Sequence, residues 1–257
     1  MTQPINKFAI LGERCSGTNF LEETISKNFD INYTAEYGNK HFFCYNDYNG
    51  PQADNTLFIG IIRNPIYWLN SFSKELHHVP EINRHSLHNF LFNEFYSVEN
   101  EVTPNHQSFD GNFFIKNDKF YTRKYNTNKK DLNYLNGKKY KNIFELRNVK
   151  NNFLINVMPI KVKNYILINY EDLLFNFEHI MNIIKEKFNL VQKLPVFEKE
   201  KKYKKCDTYN FVKQREITLT PHNVNEIWNN LNVKQENFLG YFKFDNNNTF
   251  KTKYTTG

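Results

Sequence analysis

Apolar residues in this chain gather in short unbroken runs, set between longer amphipathic and polar stretches. "KFAIL" (7–11), "TLFIGII" within 56–65 and "YILINY" (165–170) read as buried strands, since continuous β-branched runs are the mark of strands covered on both faces. Residues 12–16 read as a loop. A helix over 17–29 follows, with Phe20, Leu21, Ile25 and Phe29 recurring at helical spacing. "NKHFFCY" (39–45) reads as a further short strand. Pro65 suits the first turn of a helix running to about His77. Residues 142–158 read as a strand then a helix, or as one helix. The segment 171–189 reads as a helix with Leu173, Phe177, Ile180, Ile184 and Phe188 on one face. A late helix is expected at "TPHNVNEIWNNLN", capped by Thr220 with Pro221 at its first position. Strands alternating with helices predict an α/β fold, a central parallel sheet flanked by helices. Residues 1–257 are expected to form a single domain, with a polar, Asn-rich insertion or lid at about 79–141. In such a sheet ligands bind at the carboxyl ends of the strands, here after Leu11, Ile62 and Tyr170.

Composition narrows the chemistry. Among 257 residues, 34 Lys and Arg face 27 Asp and Glu, a net charge of +7 that favours phosphates, sulfated or acidic sugars and other anions. No DNA- or RNA-binding motif is present, so nucleic acid is not an expected partner. Cys15, Cys44 and Cys206 are too few and too widely spaced for a zinc motif or a disulfide framework, which suits a reducing interior. No window approaches the roughly 18 apolar residues of a membrane span, and the apolar run near the N-terminus is too short for a signal peptide core. A soluble, cytoplasmic chain without a membrane partner is expected. His77, His78, His85 and His88 lie close together, and "HSLH" sets two of them at i and i+3 on one helical face. No Cys or acid cluster joins them, so no metal is expected.

The candidate chemistry starts at "GERCSGTNF". Gly12 and Gly17 have the spacing of a Walker A loop, but Thr18 and Asn19 follow where that loop carries Lys and Ser/Thr. A loop that opens a helix still presents backbone amides and the positive end of the helix dipole to an anion. A second stretch, "IIRNPIYWLNS", sets Arg63 at the end of the central strand and Ser71 eight residues later. An arginine fork and a hydroxyl can grip one phosphate from two sides.

"RCSGTNF" followed by "RNPIYWLNS" resembles the sulfotransferase superfamily that uses 3′-phosphoadenosine 5′-phosphosulfate (PAPS). "YILINYEDLLFNFEHIMNIIKEKFN" resembles that family's strand ending in Y-E-D with the long helix after it. "KHFF" stands where members often carry a Lys–His element. The resemblance covers residues from about Lys7 to Phe188 and implies a three-layer, P-loop-NTPase-like fold. It implies that Gly17, Thr18 and Asn19 meet the 5′-phosphosulfate, within a loop that includes Arg14, Cys15 and Ser16. Phe20 would lie against the adenine, Arg63 and Ser71 would hold the 3′-phosphate, and Tyr170 would approach the adenine side. The family's loop lysine falls on Cys15, and the cation stands one place earlier at Arg14.

Sulfuryl transfer needs in-line positioning, charge stabilisation and a base for the acceptor proton. His41 is the candidate base, Lys40 a helper at the sulfuryl oxygens, and Glu13 the alternative base unless it pairs with Arg14. Arg147 is a candidate contact to acceptor or donor. Lys204, Lys205 and Arg215 are candidate cations of a basic loop over the 3′-phosphate. The expected acceptor is a carbohydrate or another small hydroxylated molecule, with PAP as the product and no metal required. Two other readings stay open: a P-loop nucleotide kinase or NTPase, and a non-catalytic nucleotide-binding module of the same fold.

Overall fold

The computed structural model describes residues 4–48, 53–76, 79–98, 113–116, 119–122, 130–203, 206–210 and 217–243. In chain order the elements are β1 (Lys7–Leu11), α1 (Thr18–Asn28), β2 (Asn32–Tyr33), β3 (Thr56–Ile62), α2 (Pro65–Phe72), α3 (Leu87–Phe92) and β4 (Ser97–Val98). Then come β5 (Phe113–Lys116), β6 (Lys119–Thr122), β7 (Lys130–Asp131), α4 (Ile143–Asn152), α5 (Met158–Lys161), β8 (Tyr165–Asn169), α6 (Tyr170–Phe175) and α7 (Phe177–Phe188). The last are β9 (Lys202–Tyr203), β10 (Cys206–Asn210), α8 (Pro221–Asn230) and α9 (Val233–Phe238). The chain divides into two compact units, one of residues 1–72 with 150–257 and one of residues 73–149.

The first unit is built on a four-stranded, all-parallel sheet in the order β2-β1-β3-β8. Every residue of β3 is buried, as its unbroken apolar run requires of a central strand. Side chains alternate between the two faces. Phe8, Ile10, Leu57, Ile59, Ile61 and Ile168 pack on one side with Leu21 and Ile25 of α1, Leu173 of α6, and Met181 and Ile184 of α7. On the other side Phe58 meets Tyr37 and Tyr48 edge-on, and Phe153 closes against Tyr48 and Phe43. Gly60 is required by close packing, because a Cβ there would stand 2.4 Å from the Tyr165 hydroxyl. That hydroxyl donates to the Leu154 carbonyl.

The strand order puts the topological switch point between β1 and β3. The chain leaves β1 toward β2 on one side, then returns past β1 to β3 on the other. The crevice at the carboxyl ends of these two strands is where open α/β sheets bind ligands.

Several expectations are corrected. Residues 39–45 form a turn followed by a short 3₁₀ helix at Phe43–Tyr45, and no strand. The Asn39 side chain accepts the His41 amide and closes the turn, and Phe42, Phe43 and Cys44 are buried consecutively, with none of the alternation of a strand. Helix α2 ends at Phe72. The helix expected over 171–189 is two helices that break at Asn176, whose backbone leaves the helical region. Residues 143–161 are one helical run with a π turn at Phe153–Val157. Helix α8 begins as expected, with Thr220 and Asn223 forming a reciprocal cap and Pro221 in its first turn.

The second unit contains α3, the antiparallel pairs β4–β7 and β5–β6, and the start of α4. Its core gathers Phe90, Phe95, Tyr140, Ile143 and Leu146. The expected insertion at 79–141 falls within it. His85 precedes Ser86, which caps α3, so His85 and His88 do not share a helical face. Among the described residues no cluster could hold a metal ion, and no helix is long and apolar enough to cross a membrane. His77, His78, Lys204, Lys205 and Arg215 lie outside the described residues.

Candidate functional site

The loop between β1 and α1 is shaped by what happens to its carbonyls. Gly12 O accepts from His41 Nδ1 at 2.8 Å, and Glu13 O from the Ser16 amide at 3.2 Å and the Ser16 hydroxyl at 2.5 Å. Arg14 O accepts from Trp68 Nε1 at 2.8 Å, and Cys15 O from Arg63 Nη1 at 2.9 Å. Four successive carbonyls are thus held, three by the surrounding framework and one by Ser16 of the loop itself. Cys15 and Gly17 both adopt positive φ, 63° and 95°, which turns the chain sharply into α1. Gly17 is the N-cap and has no side chain to satisfy the first amides of the helix. Thr18 and Asn19 carry the first amides of that helix, at the positive end of its dipole. A loop with tethered carbonyls at a helix start has the form of an anion cradle.

Arg63 reaches this cradle from the end of β3. Its Nη1 also donates to the Ser71 hydroxyl at 3.1 Å, and its guanidinium lies 4.8 Å from the centre of the Tyr170 ring. Both Arg63 and Ser71 are buried. The same ring of Tyr170 stands where a Cβ on Gly17 would be, 2.2 Å from its Cδ2. Loop, arginine, serine and tyrosine therefore meet in one place. Phe20 is buried in the sheet-side core and meets Tyr170 edge-on at 6.2 Å.

Helix α2 is anchored at both ends. The Asn64 side chain accepts from the amides of Ile66 and Tyr67, capping the helix whose first residue is Pro65, and such a cap is worth about 1 kcal/mol. The Asn64 amide donates to Glu171, whose other oxygen accepts from the Tyr241 hydroxyl. Burial raises the Glu171 carboxyl above the usual range, against opposing pulls from these hydrogen bonds and from Arg63. Asn70, beside Ser71, accepts from both the amide and the hydroxyl of Thr218.

On the other flank of the loop sits the turn at 39–42. The Lys40 carbonyl accepts from the Gly12 amide, and the Lys40 ammonium is held by Asn19 Oδ1 at 2.6 Å and Glu22 Oε2 at 3.0 Å. His41 must carry its proton on Nδ1, because its partner there is a carbonyl. Nε2 is then the basic nitrogen. Burial first, then the Arg14 charge, with smaller pulls from Lys40 and Lys150, hold the imidazole well below the usual histidine range; the bond to Gly12 opposes them. The Arg14 guanidinium is buried, 5.2 Å from the centre of the Phe42 ring.

Glu13 pairs with Lys150 at 2.8 Å, where the sequence offered Arg14 as the partner. Sequence reasoning missed Lys150, Asn64, Asn70 and the hydrogen bond that Trp68 makes to the loop. Arg147 belongs to the second unit and is buried, which excludes a solvated surface role. Comparison with protein-family models, with curated proteins and with solved structures finds no match.

Proposed function

We propose that this chain is a PAPS-dependent sulfotransferase with a P-loop-type, three-layer fold. The observation that carries the reading is the hydrogen bond from Arg63 to Ser71, made by the same guanidinium nitrogen that holds the Cys15 carbonyl. Two motifs separated in sequence thereby offer two anion-binding features at one switch point, which suits a nucleotide phosphorylated at two positions. PAPS supplies an activated sulfuryl group and leaves as PAP. The first amides of α1 take the 5′-phosphate, and Arg63 with Ser71 takes the 3′-phosphate. Tyr170 forms the wall beside them. His41 Nε2 accepts the proton of the attacking hydroxyl or amine. Glu13 is the less available alternative, because one of its carboxylate oxygens is already engaged by the Lys150 ammonium. The basic balance of +7 favours an acidic or sulfated carbohydrate as acceptor.

The test is calorimetric titration with PAP, and with ATP and ADP with and without magnesium, on the wild-type chain and Arg63→Ala. Micromolar PAP binding without magnesium, lost in the variant, is expected. Magnesium-dependent ATP binding that ignores Arg63 would overturn the reading in favour of a nucleotide kinase. PAP binding with no transfer from PAPS to any acceptor would leave a non-catalytic binding module.

A further inference from the structure

Lys150 lies in the last turn of α4, and its side chain is 1% exposed. An isolated ammonium at that depth is strongly disfavoured. Here Nζ meets Glu13 Oε1 at 2.8 Å and the His41 carbonyl at 2.5 Å, and lies 4.8 Å from the centre of the Phe43 ring. The acceptors come from two separate segments, the loop after β1 and the turn at 39–42. Gly12 already joins these segments twice, through its amide to Lys40 O and its carbonyl to His41 Nδ1. Lys150 is a third tie, made from a third element. Buried ion pairs add little to stability compared with packed apolar groups, and fixing geometry is their best-attested use. The helix widens into a π turn immediately beyond, at Phe153–Val157, a feature frequent beside functional sites.

We propose that Lys150 is a positioning residue: its ammonium clamps Glu13 to the His41 carbonyl, so that the imidazole keeps Nδ1 on the Gly12 carbonyl and presents Nε2 as the proton acceptor. In this role Lys150 acts through the His41 turn, its ammonium engaged by Glu13 and the His41 carbonyl. The charged groups acting on the ring are Arg14 from the loop, Lys40 from its own turn and Lys150 from α4, with Glu13 beyond Lys150.

The kinetic part of the test rests on the sulfotransferase reading, and the spectroscopic part does not. Nitrogen NMR of the full chain labelled at histidine, with His41 assigned by its loss in His41→Asn, reports tautomer and titration directly. In the wild type the Nδ1-protonated tautomer is expected throughout the neutral range. Lys150→Met should mix the tautomers and raise the titration midpoint, and Lys150→Arg should restore the wild-type spectrum. Turnover with PAPS should fall about 10–100-fold in Lys150→Met with little change in the donor KM. Glu13→Gln keeps the shape and weakens the clamp, so it should mix the tautomers too, and it decides the matter if Lys150→Met does not fold. A wild-type imidazole protonated on Nε2 would overturn the proposal without any variant. So would an unchanged tautomer and midpoint in Lys150→Met, or in Glu13→Gln. Failure of the sulfotransferase reading alone would show as absent PAP binding with the tautomer result intact.

Discussion

Arg63 Nη1 donates to both the Ser71 hydroxyl, at 3.1 Å, and the Cys15 carbonyl, at 2.9 Å. One nitrogen thus joins the end of the central strand, helix α2 and the anion loop. Arg63→Ala leaves the part-buried Cys15 carbonyl and the buried Ser71 hydroxyl without this donor, and removes the charge proposed to meet the 3′-phosphate. We expect PAP affinity to fall by about 2–4 kcal/mol, roughly 30- to 1000-fold. The unliganded protein should lose about 1–3 kcal/mol of stability. Arg63→Lys keeps the charge but not the fork, and should recover only part of the affinity. Calorimetry paired with thermal denaturation checks both, and affinity unchanged in Arg63→Ala would remove the arginine from the site.

Gly17 combines a φ of 95° with a Cβ position 2.2 Å from Tyr170 Cδ2. Gly17→Ala should cost about 2–4 kcal/mol, part from the left-handed backbone and part from the clash. Tyr170→Ala removes the clash and leaves the backbone term. The double variant should therefore be more stable than additivity predicts by at least about 1 kcal/mol. Denaturant titrations of the four proteins measure this, and strict additivity would mean that the ring does not press on the glycine.

The elements that position the site were legible to different degrees. β1, β3 and β8 announced themselves because strands buried on both faces need unbroken apolar runs, and Pro65 and Thr220 marked helix starts through local chemistry. "NKHFFCY" has a strand's composition, but Gly38 at φ 92° and the Asn39 side chain on the His41 amide make it a turn. That signal, Gly-Asn before the apolar residues, was in the sequence. The Arg63–Ser71 pair was legible because the two lie eight positions apart, one just after β3 and one in the helix that follows. Lys150 was not, because it meets Glu13 across 137 positions and nothing local distinguishes it from a solvated helix lysine.

Glu171 ties the start of α2 to Tyr241, and its carboxyl is raised by burial. For an acid raised in the folded state, the stabilising contribution is complete below the unfolded value of about 4.5 and is lost as pH rises through the folded value. Glu171→Gln keeps an acceptor for the Asn64 amide and a polar partner for the Tyr241 hydroxyl, without the titration. Its melting temperature should gain on that of the wild type as pH rises above about 4.5. Parallel curves would contradict this. Tyr241→Phe should cost about 1 kcal/mol, since it leaves a carboxylate oxygen short of a donor.

His41 is held neutral by burial and by the Arg14 charge, with its Nδ1 proton on Gly12 O. A base whose folded pKa is lowered contributes stability that is complete above the unfolded value of about 6.5, and loses it as pH falls toward the folded value. His41→Asn should abolish that slope in a pH series of thermal melts. For activity the same lowering keeps Nε2 available across the neutral range. Turnover with a hydroxyl acceptor should stay level down to about pH 6.5 and fall only below it. Under the proposed mechanism, replacing His41 should reduce turnover by about 10²–10⁴-fold while PAP still binds, because the ring is assigned to proton transfer and the loop amides to the donor. If Glu13 were the base instead, Glu13→Gln would match or exceed that loss and His41→Asn would retain most of the turnover. The two single variants, assayed with saturating PAPS, separate the cases.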